Sequence, residues 1–150
     1  MAIAELKAFL GRHSRIALDT STFIYHVQAH TRYVGLTDEI FSWLQRPGAH
    51  AVTSTITLTE LLVQPYRQGN QALADEFYGL LVTFPNLTWV VPSLEIADNA
   101  AQIRAHHGLR TPDAIQAATA IHSSSTALVT NDSVFLRISG LEIAVLEEFL

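Results

Sequence analysis

The sequence predicts an α/β fold in which a parallel sheet is covered on both sides by helices. Three observations carry this. Strand-like and helix-like segments alternate along the chain, each strand-like segment is short and apolar on both faces, and no hairpin turn signal joins one strand to the next. The 150 residues are 49% hydrophobic, enough for one core. With no repeat, low-complexity tract or internal linker, residues 1–150 read as a single domain.

The elements follow in order. Residues 3–10 place Ile3, Leu6, Phe9 and Leu10 at helical spacing, and Gly11 marks the stop of an N-terminal helix over 2–11. RIALD (15–19) is a buried-type strand. A helix is expected from Ser21 to about His30 and another over 36–46, closed by Pro47-Gly48. HAVTS (50–54) is the second strand, followed by a helix starting near Thr57 and one over 70–83. TWVV (88–91) is a strand stopped by Pro92; Ser93 then caps a helix running to His107-Gly108. A helix over 112–123, a strand at 126–130 and a last strand at 142–146 complete the chain.

Composition narrows the chemistry. Without cysteine there is no disulfide framework, thiolate zinc site or cysteine nucleophile. No run reaches the ~18 apolar residues of a membrane span, and the N-terminus lacks a continuous signal-peptide core, so a cytoplasmic protein with no membrane partner is expected. Charged residues make up only 15%, with a net charge of −5. Taken alone, that sign argues against a phosphate-rich partner.

The acids change that argument, because several fall at element boundaries. Asp19 ends the first strand, Asp132 follows the strand at 126–130, Asp113 opens the preceding helix and Glu60 lies in the first turn of the helix after the second strand. Ligands of such sheets bind beyond the carboxyl ends of the strands. Alternation puts Asp19, Asp132 and Glu60 at that edge and leaves Asp113 unplaced. Each acid also has a structural explanation. Thr57-Leu58-Thr59-Glu60 reads as a capping box, and Thr111-Pro112-Asp113 as N-cap, N1 and N2. Asp19 or Ser21 suits a helix cap, and Asn131-Asp132 a turn. Four carboxylates together suit a hard divalent cation, which activates water and stabilises charge on a phosphoryl group. Thr20, Ser21 and Thr130 supply hydroxyls beside them. Removing four of the 14 acids leaves 10 against nine basic residues, and two divalent ions would bring the net charge to −1. An anionic substrate is then admissible. The arginines are scattered in sequence and only Arg110 lies close to one of these acids, so weak phosphate guidance is expected rather than base reading by a basic helix.

The segments ALDTSTFIY (17–25), TSTITLTELL (53–62), LRTPDAIQAATAI (109–121), ALVTNDSVF (127–135) and GLEIAVL (140–146) resemble, in order, those of the PIN-domain ribonucleases. The likeness is greatest to the small VapC-type toxins of toxin–antitoxin pairs. It implies a three-layer α/β/α PIN-like fold with a central, mainly parallel sheet of about five strands. It also implies an Mg²⁺- or Mn²⁺-dependent endoribonuclease that cuts RNA with one or two ions, is homodimeric, and is held inactive by an antitoxin. By the same resemblance Asp19, Glu60, Asp113 and Asp132 are catalytic metal ligands, with Thr20, Ser21, Thr130 and Asn131 binding substrate or supporting them. Two features depart from the family pattern: the helix over 2–11 and the serine-rich loop HSSST (122–126).

Other constellations carry less. His26 and His30 stand at i, i+4 but lack a third ligand, and surface positions are expected for them. Ser21 has no G-x-S-x-G context. Glu95 and Asp98 suit a helix start, and Trp43, Trp89 and Tyr25 suit the core better than base stacking. The rival to a nuclease is a non-catalytic protein-binding module on the same fold, working through an exposed apolar patch.

Overall fold

The computed structural model describes residues 2–150. In chain order the elements are α1 (Ala2–Gly11), β1 (Arg15–Leu18), α2 (Thr20–Val27), α3 (Val34–Leu44), β2 (His50–Ser54), α4 (Ile56–Arg67), α5 (Gln71–Val82), β3 (Leu87–Val90), α6 (Leu94–His107), α7 (Thr111–His122), β4 (Ala127–Thr130) and β5 (Glu142–Val145). A 3-10 turn at Ser133–Arg137 links β4 to β5, and another at Leu146–Phe149 ends the chain.

The five strands form one sheet in the order β3-β2-β1-β4-β5, with every pair parallel. Strand order reverses between β1 and β4, where Leu18 pairs with Val129. The crevice of a doubly wound sheet opens at such a reversal. Alternation along β1 sorts the core into two halves. Ile16 and Leu18 face a cluster with Leu6, Phe9, Phe23, Ile40, Trp43 and Leu81 from the α1–α5 side. Ala17 faces Ile96, Ile103, Ala114, Ala117 and Phe135 on the α6–α7 side. The sheet therefore has a helical layer on each face, as the apolar strands predict.

Most boundaries fall within two residues of the sequence expectation, and the exceptions have physical causes. The second helix stops at Val27 rather than His30, because Ala29 takes a left-handed conformation (φ 48°) and His30 N–H folds back to the Tyr25 carbonyl. Strand β1 ends one residue early because Asp19 is already the cap of α2, accepting from Ser21 N–H. Ser93 caps α6 as expected, and Gly108 ends it with φ 70°. Trp43 is buried, Trp89 stacks on Phe23 and Tyr25 stacks on Tyr33, so these rings serve packing. His26 is not a surface residue: it is half-buried against Phe41 and Phe84, and burial lowers its pKa. His30 packs on Tyr25 and Tyr33 and accepts from Arg32 N–H, so it does not converge with His26 on a ligand.

Candidate active site

Asp19 stands at the strand-order reversal, directly after β1, and is only 8% exposed. Its Oδ1 accepts from Ser21 N–H at 3.1 Å and Ser21 Oγ–H at 2.6 Å, while Oδ2 accepts from Thr130 Oγ1–H at 2.5 Å. Burial nevertheless pushes its pKa up to about 6; the hydroxyl and amide donors offset only part of the desolvation, and no cationic side chain among the described residues helps them. The carboxylate is thus hydrogen-bonded but short of positive charge.

The neighbouring groups are tied to it through hydroxyls. Thr130 Oγ1 also accepts from Asp132 N–H at 3.0 Å, and Ser21 Oγ accepts from Asn131 N–H at 3.1 Å. Asn131 is pinned in turn: Nδ2 donates to the Tyr25 hydroxyl at 3.0 Å and Oδ1 accepts from Glu147 N–H at 2.8 Å. Thr20, next to Asp19, donates to Glu60 Oε1 at 2.7 Å. Asp132 accepts from Val134 N–H, so it caps the 3-10 turn.

Asp113, which alternation left unplaced, is brought here by the α6–α7 pair. The two helices are antiparallel: Arg104 near the end of α6 bonds Thr111 at the start of α7, and Glu95 at the start of α6 pairs with His122 at the end of α7. Glu95 thus serves this pairing, while Asp98 accepts from Gln102 one turn on. Alanines 114, 117, 118 and 120 are fully buried, and their small side chains let α7 lie close on the sheet. Its first turn then meets Asp132. Burial raises the Asp113 pKa first; Arg110 opposes, and the Asp132 charge raises it further. Arg110 Nε lies 3.4 Å from Asp113 Oδ2. The links among the four acids are pairwise: Asp19 and Asp132 share Thr130, Glu60 bonds Thr20 beside Asp19, and Asp113 lies within electrostatic reach of Asp132.

Two local expectations are corrected. Thr57 is not an N-cap, because α4 begins at Ile56 after Thr55, and Glu60 does not close a capping box. Its carboxylate turns to Thr20 instead. Thr111, likewise, is the first helical residue of α7 behind Arg110, which moves Pro112 and Asp113 one position inward. The freed Thr57 hydroxyl is fully buried and forms the hub of a network that sequence reasoning missed. It bonds Thr53 Oγ1 at 2.8 Å and accepts from Gln116 Nε2 at 2.7 Å, with Thr20 Oγ1 at 3.3 Å. Gln116 is 4% exposed and also accepts from Ser54 N–H at 3.4 Å. Its signal in the sequence was an amide amid the alanines of α7, where an apolar residue is the default for a core-facing position.

The donor set consists of hard carboxylate and hydroxyl oxygens, which fit Mg²⁺ or Mn²⁺ in kind. Among the described residues, no group of three or more acids or histidines is arranged to hold an ion as the side chains stand. Glu60 is engaged by Thr20 and Asp113 by Arg110, which accounts for part of this. Magnesium commonly takes only one or two protein carboxylates and completes its shell with water and substrate phosphate. An ion shared with substrate is compatible with this edge, whereas a closed protein cage is not.

The fold is shared with several solved structures. VapBC2 from Rickettsia felis, bound to a DNA fragment from its promoter, superposes with a TM-score of 0.70 at 19% identity, covering 86% of this chain and 96% of that one. DNA-bound VapBC from Salmonella typhimurium gives 0.63 at 24% identity over 86% and 96%. FitAcB from Neisseria gonorrhoeae gives 0.66 at 21% identity over 88% and 98%. No curated protein sequence matches the chain at a significant level. The profile of the PIN domain matches residues 16–141, from the start of β1 to the approach of β5, and so takes in every acid at the carboxyl edge. The chain belongs to the PIN domain family.

Proposed function

We propose that the protein is an endoribonuclease that hydrolyses RNA phosphodiester bonds with one or two Mg²⁺ or Mn²⁺ ions, as the toxin of a toxin–antitoxin pair. The observation that carries the reading is Asp19: a buried carboxylate at the strand-order reversal, held by Ser21 and Thr130, with no cation beside it among the described residues. Natural proteins seldom bury an unpaired carboxylate unless it serves a ligand or reaction.

Asp19, Glu60, Asp113 and Asp132 would hold the ions, which supply activated water and charge stabilisation at the phosphoryl group. Ser21 and Thr130 fix the direction of the Asp19 carboxylate, Thr20 positions Glu60, and Asn131 anchors the backbone between Thr130 and Asp132. A protein antitoxin as partner is supported by the kind of complex in which related folds occur: the neighbours are VapBC assemblies and a toxin–antitoxin complex from Klebsiella pneumoniae, at 22% identity. Exposed apolar side chains on α4 and α5 (Val63, Tyr66, Tyr78, Leu80 and Val82) suit either that partner or a second copy in a homodimer. The same side chains favour the second reading, a non-catalytic binding module.

The deciding test is cleavage of RNA by purified, antitoxin-free protein with Mg²⁺, Mn²⁺ or EDTA, beside Asp19→Asn. Cleavage that requires metal and disappears with Asp19→Asn is expected. Metal-independent cleavage, or an Asp19→Asn variant as fast as wild type, refutes the site. No cleavage with either ion favours the binding module.

A further inference from the structure

Several cationic side chains of this protein are neutralised by carboxylates. Lys7 and Arg46 pair with Glu39, Arg12 with Glu142, and Arg32 with Glu147. Arg104 and Arg137 are different. Arg104 donates through Nε to the Leu109 carbonyl at 3.0 Å and through Nη1 to Thr111 Oγ1 at 2.6 Å. Arg137, at the end of the 3-10 turn capped by Asp132, donates through Nη1 to the His107 carbonyl at 3.2 Å. Both therefore rest on neutral acceptors and keep their full charge.

Both also reach the same short loop, residues 107–111, which carries Arg110. The Arg110 side chain is 80% exposed and pairs with Asp113 through Nε at 3.4 Å, which leaves its Nη groups outside that pair. Three arginines from α6, the α6–α7 loop and the 3-10 turn thus converge on the loop that leads into Asp113, although 33 positions of sequence separate the first from the last. The helix dipole accounts for a cation at the end of α6, but not for one delivered there from beyond β4. A guanidinium has five N–H donors. Two are used on Arg104 and one each on Arg110 and Arg137, so most remain for an anion. The left-handed turn at Gly108 lets the loop pass close beneath Arg137; a Cβ there would stand 3.6 Å from its Nη1.

We infer that Arg104, Arg110 and Arg137 form a phosphate track that holds the RNA backbone alongside the acid edge. This rests on the nuclease reading for its ligand. The track supplies locally the positive field that a net charge of −5 denies the molecule as a whole. It touches no reacting atom, so it governs binding of the strand rather than the chemical step.

The test is direct binding of a fluorescein-labelled single-stranded RNA of mixed sequence, in EDTA so that nothing is cut. Wild type is compared with R104Q/R110Q/R137Q and with K7Q/R46Q/R67Q, which removes the same charge elsewhere. The track variant should bind at least tenfold more weakly, and the slope of log K against log salt should fall by about two, at ~0.7 for each phosphate no longer neutralised. The control should stay within twofold of wild type. Equal binding by the track variant, equal weakening in both variants, or no RNA binding by wild type would each overturn the track. If the triple variant fails to melt cooperatively, Arg110→Gln alone, on an exposed side chain, should lower the slope by about 0.7, and no change refutes the proposal. Cleavage in Mn²⁺ separates the two readings. Wild type that binds through these arginines yet never cuts retains the track and defeats the nuclease, while a track variant that cuts with unchanged KM retains the nuclease and defeats the track.

Discussion

Asp19 concentrates the conflict between stability and function in one side chain. Its unfolded carboxyl titrates near 3.8 and its folded one near 6. The cost of holding the buried anion is therefore fully present above about pH 6 and shrinks as pH falls toward 4. A shift of that size corresponds to about 3 kcal/mol. Asp19→Asn removes the charge and leaves an acceptor for Ser21, but meets the Thr130 hydroxyl with an amide donor, which returns part of the gain. The variant should be about 1–3 kcal/mol more stable than wild type at pH 8 and equal or less stable at pH 4.5, by urea unfolding at the two pH values. An Asn variant that is weaker at both would mean that the Ser21 and Thr130 bonds, not the charge, dominate this site. For the same reason, Mn²⁺ binding to the free protein should weaken as pH falls below about 6, where a proton competes with the ion for Asp19.

Among the elements, α7 does the most to assemble the edge. Its buried alanines let it sit low on the sheet, so that one face delivers Asp113 to Asp132 and the next turn delivers Gln116 to Thr57. Gln116→Leu would leave the buried Thr57 hydroxyl and the buried Ser54 amide without this partner. A loss of about 1–3 kcal/mol in stability is expected, together with lower cleavage, since the network also positions Thr20 beneath Glu60. Thermal melts and initial rates on the same preparation check both; a Gln116→Leu variant with wild-type stability and rate would show the network to be incidental. This network also marks how far the sequence could be read. The strands and most helix limits were legible, because apolar runs and caps such as Ser93 and Gly108 are local signals. The placement of Asp113 was not, because it depends on how α6 and α7 pair over residues 94–122. Thr57 misled for a related reason: its capping pattern is a genuine local signal, overridden when the hydroxyl found buried partners in Thr53 and Gln116. The convergence of Arg104, Arg110 and Arg137 was invisible for the same cause as Asp113, being a property of the pair and not of any window.

On the scale of the whole molecule, the acids at the two edges of the sheet have different surroundings. At the amino edge Glu142 is met by cations: Arg12 and His13 both reach it, and His13 also bonds Thr126 at 2.7 Å, fastening the end of α1 to the last two strands. At the carboxyl edge Asp19 lacks a cation, Asp113 repels Asp132, and Arg110 offers only a long contact. A divalent ion binding the folded protein there should stabilise it by mass action, whereas it has no comparable site at the amino edge. At tenfold excess over its dissociation constant the gain is roughly 1.4 kcal/mol, or about 3–6 °C in the melting midpoint of a domain this size. Because no three acids among the described residues stand ready to cage an ion as their side chains rest, saturation should require millimolar Mn²⁺ in the free protein and much less with a non-cleavable RNA, whose phosphate completes the coordination shell. Scanning calorimetry of wild type and Asp19→Asn, with and without that RNA, measures this. A shift that grows with RNA and disappears with Asp19→Asn places the ion at the reversal between β1 and β4. An equal shift in both proteins would assign the stabilisation to general screening of a net charge of −5.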